Sequence, residues 1–149
     1  ENMQLLARNQ VQLAIVQSDT PGDGAARSLA SLFPEVFHLL AKPGSGIETI
    51  PNLRGKRIAL MPKDSGSYTF FWLLMQHYGI SPKEIQTIAL PPDRASEQFQ
   101  QGRFDALFRS IALGSQTMRS LIQSTKATLV PIDQVQALLE EARFLGVTV

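Results

Sequence analysis

From Lys56 onward, short apolar runs alternate with stretches of helical length, and that alternation leaves few architectures open. Strands are predicted at 57–61, 86–90, 104–108 and 128–131. Each is followed by a predicted helix, at 67–78 and at about 94–101, 115–124 and 134–143. Strand, helix and strand in repetition predict an α/β fold with a largely parallel sheet, flanked by helices on both faces. The punctuation agrees. Asp93, Ser115 and Asp133 stand where a side-chain oxygen accepts a first-turn N–H. Gly79 and Gly102 stand where a helix ends in a left-handed residue. Pro82 and the pair Pro91–Pro92 lie between elements and interrupt none.

The first third is less regular. Residues 2–9 read as the end of a helix. "VQLAIVQSD" reads as a strand with a buried run from Leu13 to Val16, and "TPGDGAA" as a loop. In "RSLASLFPEVFHLLAK" the helical period fails across Pro34, which predicts two extended segments, about 28–32 and 36–41. "KPGSGIETIPNLRG" is a breaker-rich connector, and a boundary is expected between Pro43 and Asn52. No internal repeat is visible.

Composition excludes several functions. The chain has 149 residues, enough for one domain with its own core. Its 14 basic and 13 acidic residues give a net charge of +1, which argues against nucleic acid or an anionic membrane as partner. Cysteine is absent, so disulfides, thiol catalysis and cysteine-ligated metals are excluded; the chain suits an oxidising compartment. His38 and His77 are the only histidines and neither has an acid at ligand spacing, so no metal site is expected. No apolar run is long enough to span a bilayer. Glu1–Asn2–Met3–Gln4 is not the start of a signal peptide, and the chain reads as a mature product or a fragment.

Three polar clusters fall at predicted strand ends, where ligands sit in open α/β sheets. The first is the loop Asp64–Ser65–Gly66–Ser67 with Tyr68, between strand 57–61 and helix 67–78. The helix N-terminus offers unpaired N–H groups and a partial positive charge, glycine permits close approach, and two serines can donate. The loop is either an oxyanion site or a serine cap. It is neither a Walker A loop, which ends Gly-Lys-Ser/Thr, nor a Gly-x-Ser-x-Gly elbow. The second cluster is Arg109–Ser110, where a guanidinium can grip a carboxylate or simply face solvent. The third is Gln17–Ser18–Asp19, a ligand contact or a turn onset. Asp105, inside an apolar strand, is read as structural, paired with a neighbouring backbone group or base. No serine, histidine and acid set with a catalytic order is present, and nothing calls for a cofactor.

Taken together, "ENMQLLARNQVQLAIVQSD", "SLFPEVFHLLAKPGSGIETIPNLRGKRIALMPKDSGS" and "QGRFDALF" resemble the TAXI group of TRAP-transporter solute-binding proteins. The resemblance is collinear over nearly the whole chain. It implies a type II periplasmic-binding-protein fold, with two α/β lobes and a ligand cleft between them. On that reading residues 1–41 are part of lobe one, 42–53 a hinge or connector, 54–131 lobe two, and 132–149 a helix leading back. Ser65, Gly66 and Ser67 line the cleft, and Gln17, Ser18 and Asp19 face them from the other lobe. This sequence departs from the family at two points. The family's Gly-Ser-Gly-Thr is here Asp64-Ser65-Gly66-Ser67-Tyr68, and its apolar run after Asp-Ala here becomes Leu107-Phe108-Arg109-Ser110.

The function this implies is non-enzymatic: binding a small carboxylated solute by cleft closure, for delivery to membrane transporter subunits. The location implied is periplasmic or otherwise extracytoplasmic. A ligand-sensing domain of the same fold is the first rival. An enzyme on a similar scaffold is the second, disfavoured by the missing acid–base set. Exposed strand edges tend to pair. Taken alone, the chain is therefore expected either to leave residues 1–41 mobile or to self-associate through them.

Overall fold

The computed structural model describes residues 2–16 and 26–133. Five strands, β1 (Glu35–Ala41), β2 (Arg57–Leu60), β3 (Gln86–Ala89), β4 (Ala106–Ala112) and β5 (Thr128–Leu129), form one sheet in the order β3-β2-β4-β1-β5. β2 runs parallel to β3 and β4, whereas β1 runs antiparallel to β4 and β5. Four strands therefore share one direction, and β1 is inserted against them. The helices are α1 (Asn2–Ala7), α2 (Gly66–His77), α3 (Pro92–Gln100) and α4 (Gln116–Thr125). This is the α/β lobe expected: a mixed, mostly parallel sheet with helices on both faces.

Residue alternation along the strands divides the core in two. Leu39, Ala41, Ile58, Leu60, Ala106 and Phe108 face α2, meeting Phe70, Phe71, Leu74 and Met75. Leu40, Ala59, Met61 and Leu107 face the other way, onto Ala95 and Phe99 of α3 and Met118 and Leu121 of α4. β2 is buried on both faces, which is why Ile58-Ala59-Leu60 is a continuous apolar run. On the α2 face, Phe37 stacks on Phe70 with ring centroids 3.9 Å apart, and Phe108 closes on both.

Helix ends follow the sequence closely. Gly79 at φ 62° and Gly102 at φ 73° end α2 and α3. In each case the residue after the glycine donates back across the last turn, Ile80 to Met75 at 2.8 Å and Arg103 to Gln98 at 3.0 Å. Ser115 caps α4. Asp93 does not cap α3. The helix begins at Pro92, with Pro91 as its cap, because a proline at the first position sacrifices no bond; Asp93 lies in the first turn.

The N-terminal expectations fare differently. Residues 11–16 form no strand: Leu13 and Ile15 are 72% and 69% exposed, and no strand among the described residues pairs with them. Residues 28–32 form no regular element, while the second extended segment is β1. β1 was expected in lobe one. It lies instead in the same sheet as the strands after Lys56, because its run Leu39-Leu40-Ala41 is apolar on both faces and fits between β4 and β5. The connector at 42–53 sends Ile47, Ile50 and Leu53 into the α2-side core. The helix expected at 134–143 and the cluster Gln17–Ser18–Asp19 lie outside the described residues.

Candidate functional site

The chain leaves β2 through α2 to reach β3 on one side, then crosses back through α3 to reach β4 on the other. The two helices pack on opposite faces. Adjacent strands whose connections depart in opposite directions leave a crevice outside their carboxyl ends, and here it lies between β2 and β4. β2 pairs with β4 only at Ile58–Ala106 and Ala59–Leu107, so β4 runs on past the end of its neighbour.

The Ser65–Tyr68 loop sits at this point. Ser65 is the α2 cap: its hydroxyl oxygen accepts the Tyr68 amide at 3.2 Å, and the hydroxyl donates to the Pro62 carbonyl at 2.6 Å. Gly66 begins the helix. Ser67 is only 2% exposed, and its oxygen accepts the Ser110 amide at 2.8 Å. A side-chain oxygen thus takes up a β4 donor beyond the end of β2. Ser110 in turn donates its hydroxyl to Glu35 at 3.0 Å. The helix N-terminus, β4 and the start of β1 are tied in one polar chain. Tyr68 is half-buried and meets Trp72 edge-on, with centroids 6.2 Å apart.

Arg109 lies on the opposite face of the sheet. The sequence reading placed it beside the serine loop, but successive strand residues point to opposite faces. Ser110 faces α2, and Arg109 projects with Leu107 and Ile111 toward α3. Its Nη1 donates to Ser96 at 3.5 Å, a long bond, and its buried Nε has no partner. Burial lowers its pKa, while the charges of Asp93 and Glu35 act in the opposite sense. Across the β1–β4 pair His38 stands opposite Arg109, with its Nδ1 2.9 Å from the Val36 carbonyl oxygen.

The structure therefore brings Ser65, Gly66, Ser67, Tyr68 and Ser110 together on one face and sets Arg109 on the other. Sequence reasoning missed Ser96 and Glu35. Period-two alternation in β4 was legible and separates Arg109 from Ser110. The approach of Ser96 depends on how α3 packs, and no local signal carries that. An open groove of about 490 Å³, lined by Trp72, Gln76, Gly79, Ile80, Ser81 and Pro82, lies at the far end of α2, away from the strand ends. Among the described residues no three His, Asp or Glu side chains gather as a metal would require, and no helix is long and apolar enough to cross a membrane.

A model of the NMT1-like family matches residues 1–146. Among solved structures, the chain is similar to the periplasmic aliphatic sulphonate-binding protein of Escherichia coli, at 21% identity and TM-score 0.54, covering 73% of this chain and 40% of that one. It is similar to the alkanesulfonate-binding protein of Xanthomonas axonopodis pv. citri bound to MOPS, at 25% identity and TM-score 0.53, covering 66% and 33%. It is also similar to a periplasmic binding protein of Brucella ovis with glutathione bound, at 12% identity and TM-score 0.52, covering 76% and 42%. The chain spans about a third to two fifths of the length of these structures.

Proposed function

This chain belongs to the NMT1-like family, and from that premise we propose that it forms the second lobe, and part of the first, of an extracytoplasmic protein that binds a small solute for transport. The similar solved structures are binding proteins, two for sulfonates and one with glutathione bound. The observation that carries the reading is the crevice between β2 and β4, flanked by the α2 N-terminus and Ser110 on one face of the sheet and by Arg109 on the other. A small molecule is held there by dipoles and hydrogen bonds.

The finer reading is an anionic solute, a carboxylate such as an amino acid or organic acid. The helix dipole at Gly66–Ser67 and the guanidinium of Arg109 both favour negative charge. Gln17, Ser18 and Asp19 are proposed as further ligand contacts on the sequence resemblance alone, since they lie outside the described residues. In place of the connector at 42–53 we propose lobe crossings ahead of Glu35 and after Pro131, a reading supported by the presence of β1 and β5 in one sheet. Delivery to a TRAP-type transporter rests on the sequence resemblance. Two solved neighbours bear the name of the ABC type, and cross-linking to membrane subunits distinguishes the two.

The test is a thermal-shift screen of the full-length protein against amino acids, dicarboxylates and alkanesulfonates. A saturable rise in melting temperature with one class supports the reading. A flat response across all three classes, with the protein folded, rejects it.

A further inference from the structure

We infer that Arg109 selects for a negatively charged head group on the solute, and that it acts from the α3 side of the sheet together with Ser96. The inference rests on the solute-binding reading above and assigns the charge recognition within that site.

Three other arginines are settled. Arg54, Arg57 and Arg94 each hold a carboxylate at 2.9 Å, to Glu84, Asp105 and Glu97 respectively. Arg109 is not. Among the described residues it forms no ion pair, and its one hydrogen bond is the 3.5 Å contact to Ser96. Its Nε is shielded from solvent without an acceptor. On the same strand face its neighbours Leu107 and Ile111 pack in the core. A guanidinium N–H buried without an acceptor is an arrangement that destabilises the fold. Asp93 and Glu35 are near enough to favour its charge, but neither closes on it.

Its position turns that deficit into a site. β4 extends beyond the end of β2, so Arg109 stands at the crevice rather than inside the sheet. The serine loop on the opposite face is tied into the fold. Ser65 both donates and accepts in the cap, and the Ser67 oxygen holds the Ser110 amide. The planar fork of Arg109 can meet an oxyanion with paired N–H donors, and Ser96 lies beside it. A carboxylate or a sulfonate presents the oxygens such a fork requires.

The experiment is calorimetry on the full-length protein with matched probes: glutamate and glutamine, butyrate and butyramide, ethanesulfonate and ethanesulfonamide. The parent is expected to prefer the anion of at least one pair by about tenfold or more. Arg109→Gln abolishes that preference, Arg109→Lys keeps part of it, and Ser96→Ala weakens the anion by a few fold. The carboxylate and sulfonate pairs identify the head group. Circular dichroism confirms that each variant is folded, and a folded Arg109→Gln that retains the preference overturns the inference. If the parent binds the neutral probes as well as the anions, solute binding stands and the inference fails. If no probe binds, the solute-binding reading falls and takes the inference with it.

Discussion

Asp105 holds Arg57 by main chain and side chain together. Its Oδ2 accepts the Arg57 amide at 2.9 Å and Nε at 3.1 Å, and its Oδ1 accepts Nη2 at 2.9 Å. The acid that stood out inside an apolar strand is the clasp joining the start of β2 to the start of β4, the structural pairing expected for it. The Arg57 hydrogen bonds hold the Asp105 carboxyl below its usual range, against a smaller opposing effect of burial.

A carboxyl whose pKa is depressed on folding stabilises the fold above its unfolded value, about 3.9. That contribution fades as pH falls through the lower, folded value. Asp105→Asn is therefore expected to lower the melting temperature at pH 7 by roughly 3–6 °C, and to shrink the gap from the parent as pH drops below about 4. Thermal melts from pH 2 to pH 7 check this, and a gap of constant size across that range counts against the clasp.

Ser67→Ala removes the acceptor of the Ser110 amide at a buried position. An orphaned donor costs about 1–3 kcal/mol. Ser65→Ala removes only a cap and costs about 1 kcal/mol. Urea unfolding of the two variants is expected to rank Ser67→Ala as the more damaging.

Phe108 is fully buried, with Phe37, Phe70 and Phe71 around it. Phe108→Ala opens a cavity where the rings meet and is expected to cost about 3–5 kcal/mol. Phe108→Leu keeps most of the volume and is expected to cost clearly less. Equal losses in chemical denaturation would mean the cluster does not behave as close-packed.

Lys126 ends α4 at φ 57°, a left-handed conformation that its Cβ disfavours. Lys126→Gly relieves that strain and is expected to stabilise by up to about 1 kcal/mol, less the added freedom of the unfolded chain. The readout is the urea midpoint, with an unchanged slope.

How far the sequence was legible depended on where each element finds its partners. α2 and α4 carry serine caps, α2 and α3 end at glycines, and α3 starts at a proline, so their bounds were readable to within two residues or so. β2 and β3 are short apolar runs between breakers and were equally clear. β4 was foreseen at 104–108 but runs Ala106–Ala112. Its first residues belong to the Asp105 clasp, and its last are strand because β1 lies beside them. The reversal of β1 was not visible, since an apolar run does not state its direction or its neighbours. The same limit applied at the site. Ser65 and Ser67 were correctly placed at the α2 N-terminus, but the bond from Ser110 to Ser67 spans 43 residues and no local pattern encodes it.

The inserted strand also sets a timetable. Glu35–Ala41 leaves the ribosome early, yet its partners along β4 follow sixty-five or more residues later. Until they arrive, Val36-Phe37-His38-Leu39-Leu40 is an uncharged stretch of strand-forming residues with both edges open, a segment prone to join the wrong neighbour. The first strand made thus waits for both its neighbours, β4 and then β5, which are the last two made. The nascent chain is most vulnerable in the interval between making β1 and making β4, and a holding chaperone would act there.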